Sequence, residues 1–149
     1  MQKLEQDCIA TALRLLAIRE HSRLELKNKL RKRDYTEEEI QSVLCELQEK
    51  NLQSNERFAE AYIHSRQQKG FGLNLIKKEL QERGVEKELI ARFTETLRDK
   101  ESKRAKLQLK KKFGQMKPAD YAEQVRQMRF LQSRGFSEFI IRSIFDEVY

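Results

Sequence analysis

An all-helical chain of three tandem three-helix repeats, stacked into an elongated, curved array, is the fold this sequence predicts, and three observations carry it. The 149 residues include only 5 Gly and 1 Pro, while the good helix formers Leu, Glu, Lys, Gln and Arg are abundant. The chain also repeats itself. Arg33-Asp34-Tyr35-Thr36, Arg83-Gly84-Val85-Glu86 and Arg134-Gly135-Phe136-Ser137 align, and the surrounding apolar positions coincide at offsets of 50 and 51 residues. Leu30, Leu80 and Leu131 match, as do Ile40, Ile90 and Ile141, then Val43, Phe93 and Ile144, then Leu47, Leu97 and Val148. Within each copy the apolar spacing is helical, since Ile40, Val43, Leu44, Leu47 and Ile140, Ile141, Ile144, Phe145, Val148 each fall on one face.

The elements follow in order. The first repeat, residues 6–50, opens with a helix from Asp7 to Arg19 whose stripe is Ala12, Leu15 and Leu16. Ser22-x-x-Glu25 and Thr36-x-x-Glu39 read as capping boxes that start its second and third helices. Asp34, a residue type tolerant of left-handed backbone, ends the second. In the second repeat, residues 54–99, a helix from about Asn55 to Lys69 carries Ala59, Tyr62 and Ile63 at matching positions, and Gly84 takes the place of Asp34. The third repeat, residues 100–149, has a helix from about Lys100 to Phe113 with Ala105 and Leu109. A further helix starts at Pro118, a residue suited to a first turn, and Gly135 is the terminator. A unit of this size buries little surface alone, so neighbouring units are expected to stack.

Composition excludes several classes. Charged residues make up 37% of the chain and apolar ones 38%. No window approaches the ~20 apolar residues that span a bilayer. Met1-Gln2-Lys3-Leu4-Glu5 has no apolar run of a secretory signal, so a cytoplasmic location is expected. Cys8 and Cys45 are the only cysteines; both fall among apolar residues and read as small core fillers. His21 and His64 stand in no metal-ligand motif, and neither a metal nor a cofactor is expected. The carboxylates occur as exposed helical runs such as Glu37-Glu38-Glu39, not as isolated acids in apolar settings where their pKa values would be tuned. No nucleophile and base pair is apparent, so the chain reads as a non-enzyme.

Charge supplies the candidate binding residues. Residues 100–149 carry 12 basic against 6 acidic side chains, while the first 99 carry 19 against 18, so nearly all of the net +7 lies in the last third. Lys100, Lys103, Arg104, Lys106, Lys110, Lys111 and Lys112 oppose only Glu101 locally. Such a run is either a solvated helix face or a phosphate-tracking surface with salt-dependent affinity. In the first repeat Arg23, Lys27 and Arg31 form an i, i+4, i+8 stripe, and the next helix carries Glu37, Glu38, Glu39, Glu46 and Glu49. An acidic third helix would be repelled by phosphates in a major groove, which disfavours a helix-turn-helix reading. Arg66-Gln67-Gln68-Lys69-Gly70-Phe71-Gly72 puts two glycines beside two cations and an aromatic at a helix exit. Structurally, Gly70 would end one helix, Phe71 pack inward and Gly72 start the next. Functionally, Arg66 and Lys69 would reach phosphates or carboxylates without burial. Lys77 and Lys78, on the helix that follows, complete the basic set. The stretch is no Walker loop, which needs G-x-x-x-x-G-K-[ST].

Ala12-Leu13-Arg14-Leu15-Leu16-Ala17-Ile18-Arg19-Glu20-His21-Ser22, Glu25-Leu26, Glu56-Arg57-Phe58-Ala59-Glu60-Ala61-Tyr62, Ser65-Arg66, Lys69-Gly70-Phe71-Gly72, Ile76, Glu79-Leu80 and Phe130-Leu131-x-x-Arg134-Gly135-Phe136 closely resemble the RecX family of bacterial RecA regulators. The resemblance covers nearly the whole chain, is strongest from 12 to 85 and weakest from about 86 to 125. It implies three tandem three-helix repeats that bind the RecA filament and inhibit its assembly and its strand-exchange, ATPase and coprotease activities in DNA repair and the SOS response. On this reading the chain is a monomer. It touches single- or double-stranded DNA weakly and without sequence preference. The alternative is a general nucleic-acid-binding helical repeat protein independent of RecA. Two expectations follow: charge reversal at Arg66 and Lys69 leaves the fold intact yet abolishes RecA inhibition, and a 1–99 fragment stays folded while losing most of its affinity for the filament.

Overall fold

The computed structural model describes the backbone of residues 2–114 and 117–148 and the side chains of residues 5–114 and 117–146. Among the described residues there are nine α-helices and no strand. They are α1 (Gln2–Ile18), α2 (Arg23–Arg31), α3 (Glu37–Glu49), α4 (Asn55–Gln68), α5 (Leu73–Glu82), α6 (Lys87–Glu95), α7 (Glu101–Phe113), α8 (Tyr121–Ser133) and α9 (Glu138–Val148). A short 3-10 turn, Arg98–Lys100, leads into α7. The protein is therefore all-helical, with three three-helix repeats in tandem.

Local chemistry accounts for the helix ends. Ser22 and Thr36 form complete capping boxes with Glu25 and Glu39, which satisfies N–H groups that a helix start leaves without partners. Asp34, Gly84 and Gly135 all adopt positive φ at the exits of α2, α5 and α8. Pro118 does not start α8. The helix begins at Tyr121 because Asp120, in extended backbone, accepts the Glu123 N–H at 2.8 Å through its carboxylate, and an Asp cap outweighs the proline's preset φ two residues earlier. The first helix begins well before Asp7.

Tertiary contacts group residues 1–61 with 81–86 into one unit and residues 62–80 with 87–149 into another. In the first, Cys8 and Ala12 of α1, Leu26 and Leu30 of α2, and Ile40, Val43, Leu44 and Leu47 of α3 form one core. In the second, Ala105 and Leu109 of α7, Leu131 of α8, Phe136, and Ile141, Ile144 and Phe145 of α9 form another. Each buried leucine or isoleucine contributes about 1.5–3 kcal/mol relative to exposure. The aligned positions Leu30, Leu80, Leu131 and Ile40, Ile90, Ile141 are all buried. The middle copy departs further along: Phe93 and Leu97 are only half-buried, and Thr94 is buried instead, its hydroxyl donating to Ile90 O at 2.8 Å. The Val148 side chain lies outside the described residues. Cys8 is buried but Cys45 is exposed, because Cys45 falls off the stripe set by Val43, Leu44 and Leu47.

One contact between consecutive repeats occurs twice. In the first unit Asn55, the first residue of α4, accepts the backbone N–H of Arg23, the first residue of α2, at 2.9 Å. The Gly84 turn meets α2 so closely that a Cβ there would lie 2.8 Å from Leu24 Cβ. In the second unit Glu101, the first residue of α7, accepts the backbone N–H of Leu73, the first residue of α5, at 3.1 Å. A Cβ on Gly135 would lie 2.2 Å from Leu75 Cβ. In the first two repeats the second helix thus starts beneath a residue that opens the next repeat and beside that next repeat's turn glycine.

Candidate functional site

The basic residues singled out from the sequence fall into three environments. Those of α2 face their own unit. The Arg23 guanidinium donates to Gln41 Oε1 and Gln48 Oε1, both at 2.9 Å. Arg31 pairs with Glu37, and Lys27, half-buried, contributes to holding the Glu37 carboxyl below its ordinary value, after the hydrogen bond from Arg31. Two of the stripe's three cations are thus held by α3, Arg31 by a carboxylate and Arg23 by two glutamines.

Arg66 occupies a second environment and is not the free cation expected at an exposed turn. Its Nε and Nη2 donate to Glu79 at 2.9 and 2.8 Å, with both side chains largely buried, and its guanidinium lies 3.9 Å above the Phe71 ring. Arg134 covers the same ring at 5.3 Å and also Phe130 at 5.2 Å. Phe71 is accordingly half-buried under two guanidinium groups, not inserted in the core. Charge reversal at Arg66 would set a carboxylate against Glu79, so that substitution is no neutral probe of binding. Lys69 and Lys78 are exposed, while Lys77 is half-buried.

The third environment is α7. Lys103, Arg104 and Lys110 converge with Lys100, Lys106 and Leu107 on a groove of about 510 Å³, and Leu107 is 49% exposed within it. Lys111 and Lys112 are exposed further along the helix. Lys110, Lys111 and Lys112 sit in the last turn, where cations also favour the helix dipole. Arg104, Leu107 and Lys111 in addition meet Gly70 and Phe71 around a smaller cavity. The structure therefore joins the 66–72 turn and the basic run, more than 30 residues apart, on one surface of the second unit.

Three participants had no clear mark in the sequence. Arg134 was legible only as a repeat marker. Gln67 is buried although it is polar, on the same helix as the buried Phe58, Ala59 and Ile63. Glu101, the lone acid of the basic run, is 4% exposed; burial raises its pKa, against the opposing effects of the Leu73 N–H, Arg104 and Lys77. The signal for Glu101 was Gly72, which has no side chain to cap α5 and so leaves the N–H groups of that helix start to acceptors from elsewhere.

Burial pushes the Cys8 thiol up to about 11, reinforced by Glu39 and Glu5, which keeps it protonated. His21 is 1% exposed, with Nδ1 at 3.0 Å from Arg19 O and Nε2 at 2.8 Å from Lys29 Nζ. Its pKa is lowered, mainly by burial. Lys29 therefore donates to a neutral ring whose Nδ1–H donates to the carbonyl. Among the described residues no group of three or more His, Cys, Asp and Glu side chains is arranged to hold a metal ion, and no helix is long and apolar enough to cross a membrane.

Comparison with known proteins accords with this architecture. Models of the first, second and third three-helix domains of RecX match residues 8–47, 54–92 and 99–145. A regulatory protein RecX of Herbaspirillum seropedicae is 40% identical over 140 residues, covering 94% of this chain and 90% of its own. One from Legionella pneumophila (strain Corby) is 36% identical over 138 residues, covering 93% and 92%. The crystal structure of RecX from Lactobacillus salivarius superposes with a TM-score of 0.83 over 99% of this chain and 97% of that one, at 22% identity, a likeness of fold. Three consecutive domain matches from residue 8 to residue 145, on a chain whose own helices repeat in threes, mean that it belongs to the RecX family of regulatory proteins.

Proposed function

We propose that the chain regulates a RecA recombinase in the cytoplasm by binding the RecA–DNA filament and inhibiting its recombinase, ATPase and coprotease activities, as a monomer that needs no cofactor and performs no chemistry of its own. The observation that carries this reading, beside family membership, is the continuous surface formed by α7 and the 66–72 turn. Its groove sets the exposed Lys103 and Lys110 beside an exposed leucine, Leu107. That combination suits a protein–DNA filament, which presents both phosphates and protein side chains. Through the exposed lysines, DNA alone is bound weakly, without sequence preference and with strong salt dependence.

The experiment is retention of the protein by RecA filaments on single-stranded DNA, with filament ATPase as the readout, for the wild type and for Lys103→Glu with Lys110→Glu. Reversing two exposed charges changes stability little but replaces attraction by repulsion at an anionic contact. The expected result is a loss of filament retention and inhibition of at least about tenfold with unchanged circular dichroism. Unaltered inhibition by the double variant places the contact elsewhere. DNA binding that RecA neither enhances nor requires favours the general nucleic-acid-binding alternative.

A further inference from the structure

The cavity of about 230 Å³ between the C-terminal end of α4, the Gly70–Phe71 turn and the face of α7 carries an inference of its own. Two donors in its lining are buried and have no acceptor within the protein: Nε2 of Gln67 and Nε of Arg104. Gln67 is 8% exposed. A buried donor left without an acceptor is costly, and nearly all such groups in folded proteins have a partner. Two of them on residues that line one cavity point to acceptor atoms supplied from outside the chain.

The charge of those atoms follows from the rest of the lining. Arg104 and Lys111 are cationic, the remaining residues are neutral, and none is acidic. The closest acid in sequence is Glu101, one turn earlier on α7: its Oε2 accepts the Leu73 N–H, its Oε1 is buried without a hydrogen bond, and it lies outside the cavity's lining. The volume falls below the roughly 300–1,000 Å³ of pockets that enclose whole small molecules, so the cavity suits one compact group. Gly70 helps shape it: its φ is +91°, and a Cβ there would lie 2.3 Å from Gln108 Oε1, so only glycine lets that amide close over the turn. Arg104 and Leu107 belong to this cavity and to the cationic groove alike.

We infer that this cavity is a phosphate pocket, in which Gln67 Nε2–H and Arg104 Nε–H donate to oxygens of a single phosphate group and Lys111 adds charge at its mouth. A guanidinium and a neutral amide together satisfy a tetrahedral oxyanion that offers several acceptors in different directions. The source of the phosphate rests on the function proposed above: a nucleic-acid strand lying in the adjoining groove presents its backbone to the pocket. Free phosphate is the other source of the same chemistry.

The test uses the full chain labelled with nitrogen-15 and follows the Gln67 side-chain amide, identified by its disappearance in Gln67→Met. Inorganic phosphate, an oligothymidylate and acetate are added separately at constant ionic strength. The expected result is a saturable shift of that amide with the oligothymidylate and, more weakly, with inorganic phosphate, and little with acetate. Gln67→Met, checked for folding by circular dichroism, is expected to weaken oligothymidylate binding about tenfold without altering its salt dependence, because no charge is lost. Lys111→Met is expected to reduce the slope of log affinity against log salt by about 0.7. A shift with inorganic phosphate alone keeps the pocket and removes the strand as its source. Oligothymidylate binding that leaves both the Gln67 amide and the Gln67→Met affinity unchanged overturns the pocket while nucleic-acid binding itself stands. An equal response to acetate, or no response to either phosphate source, overturns it as well.

Discussion

The starts of α2 and α5 are equivalent positions in consecutive repeats, yet they satisfy their backbone N–H groups by opposite means. At α2 the Ser22 hydroxyl accepts the Glu25 N–H at 3.1 Å and the Glu25 carboxylate accepts the Ser22 N–H at the same distance, with Asn55 taking the Arg23 N–H. At α5 the preceding residue is Gly72. Its own N–H goes to Arg134 O at 2.8 Å, that of Leu73 to Glu101, and those of Asn74 and Leu75 to Gly135 O at 2.9 and 3.3 Å. Every helix start needs such acceptors. One repeat finds most of them within its own sequence, and the other takes all of these from the repeat that follows. Self-capping makes a repeat independent; a borrowed cap makes it conditional on its neighbour.

The largest expected effect is that of removing the neighbour. A 1–99 fragment lacks Glu101, Arg134 and Gly135, so four N–H groups at the start of α5 lose their acceptors, while α1 to α3 keep their core. The expectation that this fragment stays folded therefore narrows to its first repeat. In the fragment, amide exchange over Ile76 to Leu80 is expected to accelerate at least about tenfold, while exchange over Leu26 to Leu47 changes little. Equal protection in both segments would show that α5 needs no borrowed cap.

The two turn glycines give a smaller and graded comparison. Both have positive φ, so alanine is strained at either site, but a Cβ at Gly135 comes 2.2 Å from Leu75 Cβ against 2.8 Å from Leu24 Cβ at Gly84. Gly135→Ala is expected to destabilise by about 3 kcal/mol and Gly84→Ala by about 1–2 kcal/mol in urea unfolding. The reverse order would mean that the second contact yields more readily than its geometry indicates.

The smallest effect has the sharpest signature, because Glu25 and Glu101 depend on pH in opposite senses. Burial alone would raise the Glu25 pKa, but the hydrogen bonds from Arg19 and the Ser22 N–H outweigh it and the net shift is downward. Its contribution is present above the ordinary carboxylate value and is lost as pH falls through the lowered folded value. Glu101 is raised by burial, so its contribution is complete below the ordinary value and fades as pH rises through the raised one. Glu25→Gln is expected to cost about 1 kcal/mol at pH 7 and less in acid. Glu101→Gln, which still accepts from Leu73, should be close to neutral at pH 4 and stabilising by under about 1 kcal/mol at pH 7. Unfolding curves at the two pH values check both, and parallel pH responses would refute the contrast.

What was legible in the sequence was what acts over one helical turn. Ser22 with Glu25, Thr36 with Glu39, and the terminators Asp34, Gly84 and Gly135 are local signals, and the helices obey them. The register of Ile40, Val43, Leu44 and Leu47 also excludes Cys45 from the core, once the stripe is taken strictly. The candidate site was legible as charge alone. The cations of α7 announced themselves as a run, but Glu79 sequestering Arg66, 13 residues on in the chain, is a fact of helix packing. So is the meeting of Gln67 with Arg104. The meaning of an unremarkable glutamine depends on what lies across from it, and no pattern within α4 says what that is.

Both inter-repeat caps run in the same chemical direction: a later residue completes an earlier helix, across 32 positions from Asn55 back to Arg23 and 28 from Glu101 back to Leu73. A ribosome delivers the chain in that order, and domains tend to fold as they emerge. During synthesis, then, α2 can close on its own serine as soon as it is exposed, whereas α5 waits for the Arg134–Gly135 turn, more than 60 residues downstream, before its first turn is complete. The nascent chain carries one self-capped helix start and one open one until the Arg134–Gly135 turn is made, and the turn that closes α8 also completes the earlier helix.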